Sequence, residues 1–150
     1  MQLQYRKLTE KDLEAFIAIR ISQLREEGAT EHIDLTPVLL DYYRRHLADA
    51  TFVSWLAAHG DQIIATSAIS FVEKPPTFGC PSGKTGILSS MFTDPAYRRR
   101  GIAKELLSRI AEEARAYGCG SIWITASDMG VFLYTAFGFT QNGNFMEYKI

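Results

Sequence analysis

The chain has 150 residues, of which 47% are apolar and 22% charged, and a formal net charge of −1. That length fits one domain with a buried core, and the near-neutral charge excludes a general nucleic-acid binder, which carries a basic surplus. Two cysteines, Cys80 and Cys119, stand without CxxC spacing or neighbouring histidines, so the sequence offers no metal site.

No apolar run approaches membrane-spanning length and no signal-peptide pattern opens the chain, which predicts a cytoplasmic protein with no membrane contact. Residues 2–6 read as a short strand. Thr9 to Asp12 resemble a capping box, and Leu13, Phe16, Ile17 and Leu24 follow at helical spacing. Arg20 falls on the same face, a long side chain reaching the rim. Thr36-Pro37 predicts a second helix, with threonine as its cap and proline at the first helical position, running to about Ala48. The polar loop between the two helices, EEGATEHIDL, holds Glu26, Glu27, Glu31, His32 and Asp34, a pattern that solvation alone explains.

Two apolar runs around His59-Gly60-Asp61 predict a hairpin, and the proline- and glycine-rich EKPPTFGCPSGKTG predicts a loop. Residues 86–92 and 121–126 read as two further strands, rich in β-branched and aromatic residues. Between them Ile102, Leu106, Leu107, Ile110 and Ala114 form one apolar stripe, and Gly118 ends that helix. Strand, helix and strand in this order predict a parallel pair joined by a right-handed crossover. A short helix over 130–137 and a final strand or hairpin over 140–150 complete a mixed sheet.

The chemical signal lies at the start of the best-defined helix, in DPAYRRRGIAKELL. Arg98, Arg99, Arg100 and Lys104 load cations onto an end whose exposed N–H groups already carry partial positive charge. One reading is a solvated turn, at a cost of ~0.3–1 kcal/mol. The other is an anion site: Gly101 and Ala103 keep the first turn free of bulk, successive N–H groups attract a phosphate, and the arginines add charge. Because the turn follows a parallel strand, it sits at the carboxyl edge of the sheet, where open α/β folds bind ligands. The P-loop pattern is absent, and Gly118-Cys119-Gly120 precedes a strand, so a dinucleotide fingerprint does not apply.

Arg98, Gly101 and Ala103 match [QR]-x-x-G-x-[GA], the acyl-CoA signature of the GNAT (GCN5-related) N-acetyltransferase family. The chain resembles that family further in the strand end SSMFTDPAYR, in Tyr134 placed four residues before Gly138-Phe139 in LYTAFGF, and in its order of elements. The resemblance runs from end to end, with the specific motifs confined to residues 86–139.

It implies one α/β domain over 1–150, with a mixed, mostly antiparallel central sheet of six to seven strands and helices on both faces. The sheet is splayed between strands 4 and 5, and strand 4 is bulged. It also implies acetyl-CoA as co-substrate, no metal, and transfer of acetyl to a small-molecule or peptide amine by direct attack. On this pattern the backbone of Met91, Phe92 and Thr93 pairs with the pantetheine arm. The turn of Arg98, Arg99, Arg100, Gly101, Ile102, Ala103 and Lys104 holds the pyrophosphate, and a backbone N–H near Met91 or Phe92 polarises the thioester carbonyl. Tyr134 is the implied general acid. The first two helices and the loop over 26–35 select the acceptor, and homodimers are common in the family.

Two positions depart from the pattern. Ser127 stands where many members have an asparagine that touches the cofactor. Ser89 and Ser90 stand where some keep a carboxylate base, leaving a water relay, Glu31 or Asp128 for that role. A non-catalytic acyl-CoA-binding module of the same fold is the alternative.

Overall fold

The computed structural model describes residues 2–150. Five strands, β1 (Gln4–Lys7), β2 (Phe52–His59), β3 (Gln62–Glu73), β4 (Lys84–Thr93) and β5 (Ser121–Trp123), lie side by side in chain order. The first four are antiparallel, and β5 runs parallel to β4. Four helices flank the sheet: α1 (Leu13–Glu26), α2 (Thr36–Ala48), α3 (Ile102–Tyr117) and α4 (Gly130–Phe137). Among the described residues no helix is long and apolar enough to cross a membrane.

Alternation along the strands sends side chains to two cores, one on each face of the sheet. Leu13, Phe16 and Ile17 of α1 and Tyr43 of α2 pack on Phe52 and Leu56 of β2. Phe16 meets the Tyr43 ring edge-on, with centroids 5.1 Å apart. On the opposite face the α3 stripe of Ile102, Leu106, Leu107, Ile110 and Ala114 is buried throughout, against Ala65 and Ile64 at one end and Ile69 and Leu88 at the other. The stripe read from the sequence is therefore the core of that face.

The sheet has five strands where six to seven were expected, and the difference lies wholly at the C-terminal side. β5 stops at Trp123, three residues before the predicted end, because β4 accompanies it only that far. A three-residue edge is short of the usual five or six, so residues 140–150 have little to pair with and form no strand. Phe145, Met146, Tyr148 and Ile150 are consequently almost wholly exposed. A smaller correction concerns α2: Thr36 is its first helical residue and not its cap, the cap position is Leu35, and Asp34 Oδ1 accepts the Thr36 N–H at 3.0 Å just before the helix.

The first helical segment opens with a 3-10 turn (Glu10–Asp12). Asp12 Oδ2 accepts the Thr9 N–H at 2.9 Å, and the Asp12 carboxylate also takes both Arg6 guanidinium nitrogens at 2.7 and 2.8 Å. These bonds, led by Arg6, hold the carboxyl at about 2 against an ordinary 3.8. The folded state thus prefers the ionised form. Its contribution is complete above the ordinary value and is lost as pH falls toward about 2. In urea unfolding, Asp12→Asn should cost on the order of 1 kcal/mol near pH 6, given partial exposure. The gap to the parent protein should narrow as pH falls from 4 to 2, and a gap independent of pH would show that the pair does not titrate with folding.

Candidate active site

β4 touches β5 only at Thr85, Gly86 and Ile87, opposite Ser121, Ile122 and Trp123. From Leu88 to Thr93 the two strands have parted. On its other side β4 follows β3, but with a slip: Thr66 faces Phe92 and Ala68 faces Ser89, so Ser90 and Met91 together oppose Ser67. An additional residue in one strand bends it and sharpens its twist, which turns the end of β4 away from β5. Ser90 adopts φ 54°, the left-handed region that non-glycine residues rarely occupy. Two side chains hold the bulge. The buried Thr66 hydroxyl donates to Ser90 O at 2.6 Å, and Gln23 Nε2, from α1, donates to Met91 O at 3.0 Å.

Beyond β4, Asp94 Oδ1 accepts the Ala96 N–H at 2.9 Å and starts a 3-10 turn (Pro95–Tyr97). The Tyr97 hydroxyl is tied to His59 Nδ1 at 2.9 Å, and the Arg100 guanidinium lies 5.5 Å from the centre of the Tyr97 ring. Arg98 Nε donates to Thr93 O at 3.1 Å, which folds the arginine run back over the strand end. Arg99 (φ 63°) and Gly101 (φ 77°) both take left-handed conformations as α3 begins. A side-chain carbon placed on Gly101 would meet no atom within 4 Å, so the front of this helix start is open space.

The parted strands and the helix start share one cleft of about 680 Å³. Met91, Phe92 and Thr93 line it from β4; Arg98, Arg99, Gly101, Ile102, Ala103 and Lys104 line it from the α3 start; Ser127 and Tyr134 line it from the α4 side. Of the predicted site residues, Arg100 is the one outside this lining. A ligand with a phosphate at one end and an extended chain suits the shape and charge, with open helical N–H groups and cations at one end and a freed strand edge beside them.

Tyr134 is 7% exposed and packs 5.5 Å from the Phe139 ring. Burial first, and the charge of Glu27 second, push its phenol up to about 12. Close approach explains Gly130: an added carbon there would sit 2.9 Å from the Tyr134 ring and 3.2 Å from Ser127 Oγ. Ser127 Oγ accepts the Gly130 N–H at 3.2 Å, so its hydroxyl opens α4 and still has its own proton to donate.

Sequence reading missed Gln23, whose partner Met91 is 68 residues away and is met only when α1 packs on the sheet. It also grouped acidic residues that the structure separates. Glu26 and Glu27 line the cleft with Asp128. Glu31 is paired in two contacts of 2.8 and 2.9 Å with Arg25, and it lines a second cavity of about 470 Å³ with Ile21, Leu24 and Leu35.

Residues 13–139 match the Acetyltransferase (GNAT) family. The chain belongs to this family. Its structure superposes over 99% of its length on 96% of a predicted acetyltransferase from Clostridium acetobutylicum solved with acetyl-CoA, at 35% identity and a TM-score of 0.94. A GCN5-related N-acetyltransferase from Ralstonia eutropha aligns over 99% of both chains, at 25% identity and a TM-score of 0.88. N-acetyltransferase 8B of Rattus norvegicus is 28% identical over 111 residues, 71% of this chain and 48% of that protein. The chain therefore spans about half the length of that curated relative.

In this GNAT protein Gly130 makes room for the tyrosine. Gly130→Ala should displace the Tyr134 ring and cost about 1–3 kcal/mol by overpacking, read as a lowered melting temperature with altered tyrosine fluorescence. An unchanged melting temperature would mean that α4 shifts freely. Arg99→Gly should remove a backbone cost of about 1–2 kcal/mol and so leave stability level or higher. The same change should weaken CoA binding in calorimetry, whereas a loss of stability would show that Arg99 supports the fold.

Proposed function

We propose that the protein transfers an acetyl group from acetyl-CoA to a primary amine, the amine attacking the thioester directly. The observation that carries this reading is that one cleft joins the freed, bulged half of β4, the open cationic start of α3 and Tyr134. In it the N–H groups of the α3 start and the side chains of Arg98, Arg99 and Lys104 hold the pyrophosphate, with Arg100 adding charge behind Tyr97. Met91, Phe92 and Thr93 run beside the pantetheine arm. The carbonyls of Met91 and Thr93 already accept bonds from Gln23 and Arg98, and each keeps a second lone pair for a ligand. A backbone N–H at the bulge faces the developing oxyanion. Ser127 donates its remaining proton to the cofactor.

Tyr134 serves as the acid for the departing thiolate. With its phenol at about 12 it stays protonated across the neutral range and has a proton to give. No metal takes part in this reading, and a cytoplasmic location belongs to it. The exposed apolar side chains of Phe145, Met146, Tyr148 and Ile150 support a homodimer.

The deciding experiment is acetyl-CoA turnover against a panel of amines, including polyamines, aminoglycosides and lysine- or N-terminal peptides, read as free thiol. Turnover that depends on the amine is the expected result. Tight CoA binding without turnover by any amine would favour the non-catalytic module. With an amine that turns over, Tyr134→Phe should lower kcat ~100-fold, the low end for a general acid, because solvent replaces part of the proton supply. The CoA dissociation constant and the melting temperature should barely move, since the ring and its packing remain. Parent-like kcat would reduce Tyr134 to a packing residue.

A further inference from the structure

Charge is divided along the cleft. Arg98, Arg99 and Lys104 enter it from the turn that opens α3, beyond Thr93, with Tyr97 among them. Glu26, the last residue of α1, and Glu27, which caps it, line the cleft from one side, and Asp128 lines it from the segment before α4. The cationic part is accounted for by a pyrophosphate. The acidic part has no such role, and it leaves room for a cationic group at its own end of the cleft.

One of these acids is placed by a specific contact. Gln23 donates to Met91 O and so pins the last turn of α1 against the β4 bulge. Residues four apart lie on one helix face, so Glu27, whose N–H closes the helix on Gln23 O at 3.0 Å, follows Gln23 over the bulge. Glu27 and Tyr134 both line this cleft, and the Glu27 carboxylate adds to burial in raising the Tyr134 phenol. Glu31 is excluded from this place by its pairing with Arg25 in the second cavity.

We propose that Glu27 receives the ammonium group of the acceptor and takes one of its protons, so that the acceptors are cationic primary amines. The assignment rests on the acetyl-transfer reading above. The ammonium gives one proton to the Glu27 carboxylate, and the freed nitrogen lone pair forms a bond to the acetyl carbonyl carbon. The carbon–sulfur bond then breaks with its electron pair on sulfur, and that thiolate takes the Tyr134 proton. The nitrogen, still carrying one proton too many for a neutral amide, returns it to the Tyr134 phenolate, and Glu27 later releases its proton to water.

Two CoA thioethers test the docking site without a known acceptor: S-(2-aminoethyl)-CoA, ending in an ammonium, and S-propyl-CoA, its neutral isostere. Calorimetry should show the parent protein preferring the ammonium form about tenfold, as expected for a charge-assisted contact. Glu27→Gln should abolish that preference while leaving S-propyl-CoA affinity unchanged, and Glu31→Gln should leave the preference intact. No preference in the parent, or one that survives Glu27→Gln, overturns the docking assignment. Failure of both thioethers to bind the parent would instead remove the acetyl-CoA reading itself. For the proton step, an amine found in the turnover screen is followed by kcat/KM against pH in both proteins. Glu27→Gln should lower kcat by about 100-fold and remove the acid limb of the profile, and an unchanged profile overturns proton transfer to Glu27.

Discussion

Thr66 and Gln23 each hold one carbonyl of the β4 bulge, and the cleft exists because they do. A regular β4 would stay in register with β3 and remain beside β5 to its end, leaving no gap between the parallel strands. The additional residue turns the strand, and Ser90 pays the conformational cost of the turn at φ 54°. Thr66 satisfies the redirected Ser90 carbonyl from within the sheet, where an unbonded one would be costly. Gln23 does the same for Met91 from outside the sheet, and in doing so brings the first helix to the point where the strands separate.

The two cores make this arrangement stiff. On one face α1 and α2 pack on β2, and on the other α3 packs on β3 and β4. The α3 helix therefore cannot move without disturbing a fully buried stripe, and the turn that opens it presents Arg98, Arg99 and Gly101 to the cleft. The cations crowded there raise no difficulty once a doubly charged phosphate group faces them. The left-handed Arg99 shows that the turn carries local backbone strain where it enters the cleft.

Much of this was legible in the residues. Periodicity gave α1 and the α3 stripe, His59-Gly60-Asp61 gave the hairpin, and residues 130–137 form α4 within the expected bounds. The cationic helix start reads as an anion site, and the residues of the family signature there, Arg98, Gly101 and Ala103, line the cleft. What periodicity does not carry is partnership. Nothing in SIWITAS announces that β4 will abandon the strand after Trp123, so the predicted strand ran too long and a final strand or hairpin was expected after it. Glu27 and Glu31 look alike in a polar loop; they differ because α1 ends at Glu26 and because Arg25 reaches one of them. Gln23 has no sequence signal at all, since its partner lies in another element.

The short β5 at the rim of the sheet also bears on how the protein behaves in solution. Its outer edge leaves backbone donors and acceptors facing water, and the chain ends in a run where Met146, Tyr148 and Ile150 alternate with Glu147 and Lys149. A dilute sample keeps both solvated, because an encounter between two molecules grows with the square of their concentration. In a concentrated one the same edges meet often, and mass action favours any pairing that covers the apolar run. Sedimentation, melting temperature and turnover measured for this chain therefore belong to a stated protein concentration.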